Sequence, residues 1–382
     1  MTHMMCIINN IVYLILDIRG VILMKIFKKL SAILTATALA AAMLAAYTAP
    51  ASAVVTVDDG VFQYTYSNNT WQLYSYIGSD TELTLPRTLA GEPVTGICEQ
   101  CFMSSGVTSV EIPEGYTSVG NYAFYECESL QAVTLPSTIT EIGMGAFAKS
   151  GVTSADLSQT KANKVNHYLF MNCASLAQVS LPPNAEFIGE AAFAGTALTG
   201  VEVPGKVTAI DRAAFADTGS LTAAVLPNGL KSIGESSFEN SALSSVELPE
   251  TLESIGAHAF RSDTSLTELY IPDSVTEIGA YALYPMSVSS RIHVTCFEGS
   301  YAETYCYENF VMNTDTFKKI NGDANLDGVV NINDVTAIQI FCAEYGDFTR
   351  PQLVTADVTR SGNVDISDAT MIQQYLAEYI TL

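Results

Sequence analysis

The chain has 382 residues, 48% of them apolar and only 15% charged, where an average globular chain carries roughly 25% charge. This composition excludes a disordered polymer, and the length allows two or three domains. With 17 basic and 40 acidic side chains the formal net charge is −23, which repels phosphate backbones and argues against a nucleic-acid partner while suiting cation binding.

Met24-Lys25-Ile26-Phe27-Lys28-Lys29 is a short basic start. An apolar stretch rich in Ala and Leu follows, and it ends in Pro50-Ala51-Ser52-Ala53, a small-x-small cleavage pattern. This is the layout of a secretory signal peptide over residues 24–53. The competing reading, a membrane anchor, needs a longer apolar core than this one. Residues 1–23 then read as an upstream mis-start, and the mature chain is expected to begin at Val54, secreted and without a membrane span.

Phe62-x-Tyr64-x-Tyr66 and Trp71-x-Leu73-Tyr74-x-Tyr76 flank Asn68-Asn69. Two alternating segments around an Asn-Asn turn predict a β-hairpin within residues 54–82. A solenoid needs its first core face covered, so the hairpin reads as an N-terminal cap. Trp71, the one tryptophan of the chain, also permits a second reading, an aromatic platform for sugar rings.

Residues 83–311 repeat with a period of 22–23. Phenylalanines recur at 102, 124, 147, 170, 193, 215, 238 and 260, and prolines keep the same beat at 113, 136, 182, 204, 227, 249 and 272. A fixed period in this range means a solenoid. Within a unit, Leu130-x-x-Val133-x-Leu135-Pro136 places Val133 and Leu135 on one face of a short strand, which proline ends. Ile142-Gly143 supplies a second inward point and a turn, and Ala146-Phe147 a small and a large inward side chain. The phenylalanines are therefore expected to form the spine of the core. The pattern L-x-x-V-x-[IL]-P-x-x-[IVL]-x-x-I-G-x-x-A-F resembles the leucine-rich repeats of the BspA type. The resemblance implies an α/β repeat solenoid with one short strand per unit. It also implies a secreted or surface protein whose repeats bind a protein or glycan that it does not name. The segment Lys161–Val165 departs by one extra residue, and Glu298–Cys306 looks like the family's closing segment.

One strand position per unit should face solvent: Glu111, Thr134, Asp156, Ser180, Glu202, Val225, Glu247 and Tyr270. Four of these are acidic, which fits either a face for a basic ligand or a solvated sheet that keeps the chain soluble. Cys98-x-x-Cys101 has redox or zinc spacing but no partner motif. Cys101, Cys127 and Cys173 fall on small inward positions, so they read as packing residues.

A linker over 312–318 is expected to lead into a C-terminal module, 319–382. There Asp323, Asn325, Asp327, Asn331 and Asp334 occupy positions 1, 3, 5, 9 and 12 of an EF-hand-like loop, with Gly328 at the turn and the Val329 carbonyl at position 7. Val335, Ile338 and Cys342 then share one face of a predicted helix. The pattern returns with Asp357, Thr359, Ser361, Gly362, Asn363, Asp365 and Asp368, followed by Ala369, Ile372 and Leu376. Each loop is read as a Ca2+ site, and the second is expected to be weaker because Thr359 and Ser361 replace better ligands. This duplicated loop–helix resembles a type I dockerin, a small all-α fold with two calcium loops. The resemblance implies docking to a cohesin of a cellulosome- or amylosome-type scaffoldin. Its recognition positions carry over to Ile332, Asn333, Gln339 and Ile340 in the first copy, and to Ile366, Ser367, Gln373 and Gln374 in the second.

The sequence contains no G-x-S-x-G, H-E-x-x-H or G-x-x-x-x-G-K-[ST]. It therefore reads as a non-catalytic, extracellular, complex-associated binding protein. The alternatives are a carbohydrate-binding accessory module built on Trp71, or an inhibitor of partner proteases.

Overall fold

Each repeat unit folds into one coil that carries two short strands. In the coil of Phe147 they are Ala132–Thr134 and Glu141–Ile142. Both pair in parallel with neighbouring coils: Val133 stands opposite Val110 and Ala155, and Ile142 opposite Val119. Two parallel ladders thus run along the array, the one that holds Ala132–Thr134 in three hydrogen-bonded segments. The computed structural model describes residues 55–67, 70–283, 292–309, 311, 314–317 and 320–377. The expected mis-start and signal peptide lie outside the described residues.

The third side of each coil is a run of turns that forms its own ladder. The Phe193 N–H donates to the Ala214 carbonyl at 2.8 Å, Phe215 to Ser237 at 2.7 Å and Phe238 to Ala259 at 2.9 Å. Two residues per turn adopt left-handed backbone, most of them not glycine, such as Ser236 and Asn240 at φ 54° and 57°. That region is uncommon for L residues, and the cross-coil bonds on either side hold the chain in it. No helix forms on this side among the described residues. The coils are strands and turns, and among the described residues helix is confined to the closing segment Tyr301–Glu308 and to the C-terminal module.

The expected spine is present. The eight repeat phenylalanines are buried and stack nearly parallel, with centroids 4.8–5.8 Å apart. The Ile-Gly step lets coils approach closely: a Cβ on Gly234 would meet the backbone carbon of Asp211 at 2.7 Å. Beside the phenylalanines runs a polar ladder. Cys127 and Cys173 donate from Sγ to the carbonyls of Phe102 and Phe147 at 3.0 Å. Thr196 and Thr218 donate likewise to Phe193 and Phe215 at 2.8 and 2.6 Å. The buried cysteines are therefore packing residues that also satisfy carbonyls. All seven described cysteines are free, and burial raises the thiols of Cys98 and Cys101, the opposite of a reactive pair.

The extra residue near Lys161 interrupts the second ladder. Only an isolated bridge, Val165–Ile188, survives there. The Asn166 side-chain amide donates to the Ile142 carbonyl at 2.6 Å, where a backbone N–H does so in the preceding coil, Gly143 to Val119 at 2.7 Å.

Both ends are closed. Phe62–Ser67 and Thr70–Tyr76 pair antiparallel, and the latter runs parallel to Glu92–Ile97. Tyr76 stacks on Phe102 at 5.4 Å, so the hairpin continues the aromatic column. Trp71 is 1% exposed and packs on Tyr66 at 4.9 Å. It caps the core, and a ring with so little exposure presents no platform to a sugar. At the other end His293–Phe297 pairs with Glu268–Tyr270, and Thr314–Phe317 pairs in turn with His293–Phe297. Thr314–Phe317 was expected to be linker. It is instead the closing strand of the solenoid sheet.

Of the eight strand positions expected to face solvent, seven are exposed. Tyr270 is the exception: it is half-buried, with its hydroxyl fully enclosed.

Candidate functional site

The C-terminal module is a pair of loop–helix units about a small core of Ala324, Val335, Ile338, Ala356, Ala369 and Ile372. The loop helices are Ile332–Cys342 and Ile366–Leu376. Both begin with a capping box that uses loop residues twice. Asn331 and Asp365, at position 9, cap the helices, and Asp334 and Asp368, at position 12, return to the cap N–H.

The two loops match bond for bond. Asp323 accepts from the N–H groups of Asp327 and Gly328 at 3.0 and 2.8 Å, and Asp357 from Ser361 and Gly362 at the same distances. Asp334 accepts from Asn325 and Asn331 at 3.1 and 2.8 Å, and Asp368 from Thr359 and Asp365 at 3.0 and 2.8 Å. Gly328 and Gly362 have φ 85° and 87°, a conformation that requires glycine at position 6. The loops differ where the residue types differ. Asn325 and Asp327 are joined by an amide–carboxylate bond of 3.0 Å, whereas Ser361 turns its hydroxyl onto the Asn363 carbonyl at 2.8 Å.

The first loop fits a hard cation. Asp323 and Asp334 are buried, and among the described residues no basic side chain pairs with them. Burial pushes the Asp334 carboxyl above its ordinary range, and the charges of Asp323 and Asp327 add to that, against hydrogen bonds from Asn331 and Asn325. Each carboxylate oxygen that accepts one N–H keeps a further lone pair. Among the described residues no three His, Cys, Asp or Glu side chains form a ligand cluster by themselves. The oxygen set is completed by Asn325, Asn331 and the Val329 carbonyl, which is the donor chemistry calcium takes. The second loop has Ser361 where the first has Asp327, so its third carboxylate is Asp365 at position 9, which also caps the helix through a 2.6 Å bond from Ser367 N–H. That bond holds the Asp365 carboxyl below its ordinary value.

The eight recognition positions all reach solvent. Ile332, Asn333, Gln339 and Ile340 are exposed on the first unit, and Ile366, Ser367, Gln373 and Gln374 on the second. Cys342 and Leu376 were expected on the inner faces with Val335 and Ile338 or with Ala369 and Ile372. Both are exposed. They are the last residues of their helices, one turn beyond the small core. A helix between the loops, Arg350–Ala356, was not anticipated. Its signal is Thr349-x-x-Gln352 with a proline in the first turn: the Thr349 N–H donates to Gln352 Oε1 at 3.0 Å. The Thr355 hydroxyl of this helix donates to the Asp323 carbonyl at 2.7 Å, and Gln352 Nε2 to the Ala324 carbonyl at 3.1 Å. The inter-loop helix is thereby clamped to the first loop. No helix among the described residues is long and apolar enough to cross a membrane.

The sequence pattern of the BspA type Leucine rich repeat region matches in six copies over residues 95–222 and 208–326, and that of the Dockerin type I domain matches residues 321–377. No curated protein matches the chain. Similar solved structures include a leucine-rich repeat protein from Bacteroides ovatus, with 20% identity and TM-score 0.49 over 63% of this chain and 70% of that one. A leucine rich cell surface protein from Faecalibacterium prausnitzii has 22% identity and TM-score 0.33, covering 67% and 98% of the two chains. The leucine rich repeat protein of T. pallidum has 23% identity and TM-score 0.36, covering 57% and 83%. Type I dockerins bind calcium and take a cohesin as partner, and leucine-rich repeats are non-catalytic interaction modules. The chain belongs to the BspA-type leucine-rich repeat proteins and ends in a type I dockerin.

Proposed function

We propose that this is a secreted adaptor that brings a repeat-bound ligand to a scaffoldin of the cellulosome or amylosome type outside the cell. The dockerin holds two calcium ions, the tighter one at Asp323, Asn325, Asp327, Val329, Asn331 and Asp334. The weaker one lies at Asp357, Thr359, Ser361, Asn363, Asp365 and Asp368. The strand face, running from Glu111 to Glu247, presents the ligand surface. The observation that carries the reading is the division of labour within each loop–helix unit: position-1 and position-12 aspartates point in, while all eight recognition residues point out. Ile332 is 59% exposed and Ile340 46%, apolar area that a soluble helix gains by covering.

The test is capture of the full chain on immobilised type I cohesins, with calcium and with chelator. Ile332→Asp with Ile340→Asp should lower affinity at least about tenfold, the effect of losing one central hot spot. Ile366→Asp should do less, since Gln374 stands where the first helix has Ile340. Capture that survives chelation, or that survives all three substitutions together, would refute the reading.

A further inference from the structure

Tyr270 is the strand position at which the exposed face ends: its ring packs edge-on against Phe297 of the closing sheet at 6.3 Å, and the dockerin reaches Glu250 of the preceding coil through Arg350. Arg350, the first residue of the inter-loop helix, places Nε 3.4 Å from Glu250 Oε1, with the two side chains 32% and 37% exposed. Arg350 Nε and the Tyr270 hydroxyl are both enclosed, and neither makes a hydrogen bond among the described residues. Burial raises the Tyr270 phenol, the charges of Glu250 and Asp273 raise it further, and the nearby Arg350 guanidinium opposes them. One guanidinium thus pairs with Glu250 of the solenoid and lies near enough to Tyr270 for its charge to act on the phenol.

We infer that Arg350 latches the dockerin onto the last rungs of the solenoid, so that the dockerin is held in one orientation instead of swinging on a tether. Two features make so small a contact sufficient. The closing strand Thr314–Phe317 pairs into the last sheet of the solenoid, and the dockerin pattern begins at residue 321. The three residues between, 318–320, let the two ends lie at most about 14 Å apart, which keeps Arg350 at high effective concentration near its acceptor. A guanidinium also suits the site better than an ammonium would, because its plane can lie on a phenol ring while its edge meets carboxylates.

The latch has two consequences. Together with Phe297 it keeps Tyr270 off the ligand face, leaving the exposed positions from Glu111 to Glu247. It also links the two binding sites. The inter-loop helix that bears Arg350 is tied to Asp323 and Ala324 of the first loop by Thr355 and Gln352. A repeat ligand that reached Tyr270 would have to displace Arg350, so it and the latched dockerin would oppose each other reciprocally.

Hydroxyl-radical footprinting with mass spectrometry, on the calcium-loaded full chain, reads the latch at the Tyr270 ring. Arg350→Glu should raise Tyr270 oxidation about two- to fivefold, the population change expected from losing a partly exposed ion pair. Glu250→Arg should do the same. The double charge reversal should return it to the wild-type level. Tyr307, 86% exposed, serves as internal reference and should not change. Unchanged Tyr270 oxidation in both single variants, or a double variant as reactive as the singles, would overturn the latch.

Discussion

Phe193→Ala tests whether stacked phenylalanines hold the solenoid together. The ring is fully buried, 5.8 Å from Phe170 and 5.3 Å from Phe215, with interplanar angles of 18° and 6°. Removing it opens a ring-sized void between two flat faces. The neighbours cannot slide in to fill it, because Phe170 and Phe193 N–H groups are each tied to the next coil by 2.8 Å bonds. Phe→Ala in a core costs roughly 3–5 kcal/mol. Two lost ring–ring contacts, about 0.5–1.5 kcal/mol each, lie within that figure and place this site in its upper half. Each coil leans only on its neighbours, so the loss weakens the interfaces on both sides. At about 4 kcal/mol, and about 2–4 °C per kcal/mol for an array of this size, the midpoint should fall by roughly 8–16 °C. Calorimetry of the chain from Val54, with calcium, measures it. Val225→Ala, on a side chain 61% exposed, is the comparator and should stay within about 0.5 kcal/mol of wild type. A Phe193→Ala midpoint within about 2 °C of wild type would show that the stack is decoration.

Three further outcomes follow from the same structure. Chelation should melt residues 320–377 as a separate low-temperature transition while the repeat transition stays put, because ligand aspartates are left mutually repelling and the array rests on apolar stacking; Asp323→Ala should mimic chelation and Asp357→Ala should do so more mildly. Trp71→Ala should cost roughly 3–5 kcal/mol at the N-terminal cap, seen as an earlier melt, with retention on insoluble polysaccharide unaltered in whatever fraction remains folded. Asp263→Ala should destabilise by about 2–5 kcal/mol, because the buried carboxylate accepts from Ser241, Leu243, Ser265 and Leu266 at 2.7–3.3 Å. Burial raises this carboxyl above its ordinary value despite those bonds. The folded chain therefore holds the proton more tightly than the unfolded one, and the Asp263 contribution should grow as pH falls from neutrality through the raised pKa. Comparing wild type with Asp263→Asn by denaturant unfolding across pH 4–7 checks the sign: the stability difference should shift toward wild type at the acid end.

What could be read from the residues divides along a physical line. Phe102 to Phe260 repeat because every coil needs the same large inward ring, and Asp323 to Asp334 recur as Asp357 to Asp368 because each loop must present oxygens at the same offsets. Periodic local requirements leave periodic local traces. The strand Glu141–Ile142 left none, since two residues cannot show alternation, and it was legible only as an inward point before a turn. Thr314–Phe317 lacked the unit's pattern and became a strand only because His293–Phe297 offers an open edge beside it. Cys342 and Leu376 continue a helical stripe correctly, yet stripes bury only where a partner exists, and the core of Ala324, Val335, Ile338, Ala356, Ala369 and Ile372 stops one turn short. Tyr270 carries the argument furthest. Its own unit places it on the solvent face with Glu247 and Val225, and nothing nearby in the chain says otherwise. Its environment is set by Phe297 on the closing sheet and by the charge of Arg350, in a module with a different repeat and a different chemistry. A contact between two units that each obey their own period has no period of its own. Such a contact is also where one unit can sense the state of the other, and Glu250, Tyr270 and Arg350 are therefore the residues at which ligand on the repeats and cohesin on the dockerin can be made to depend on each other.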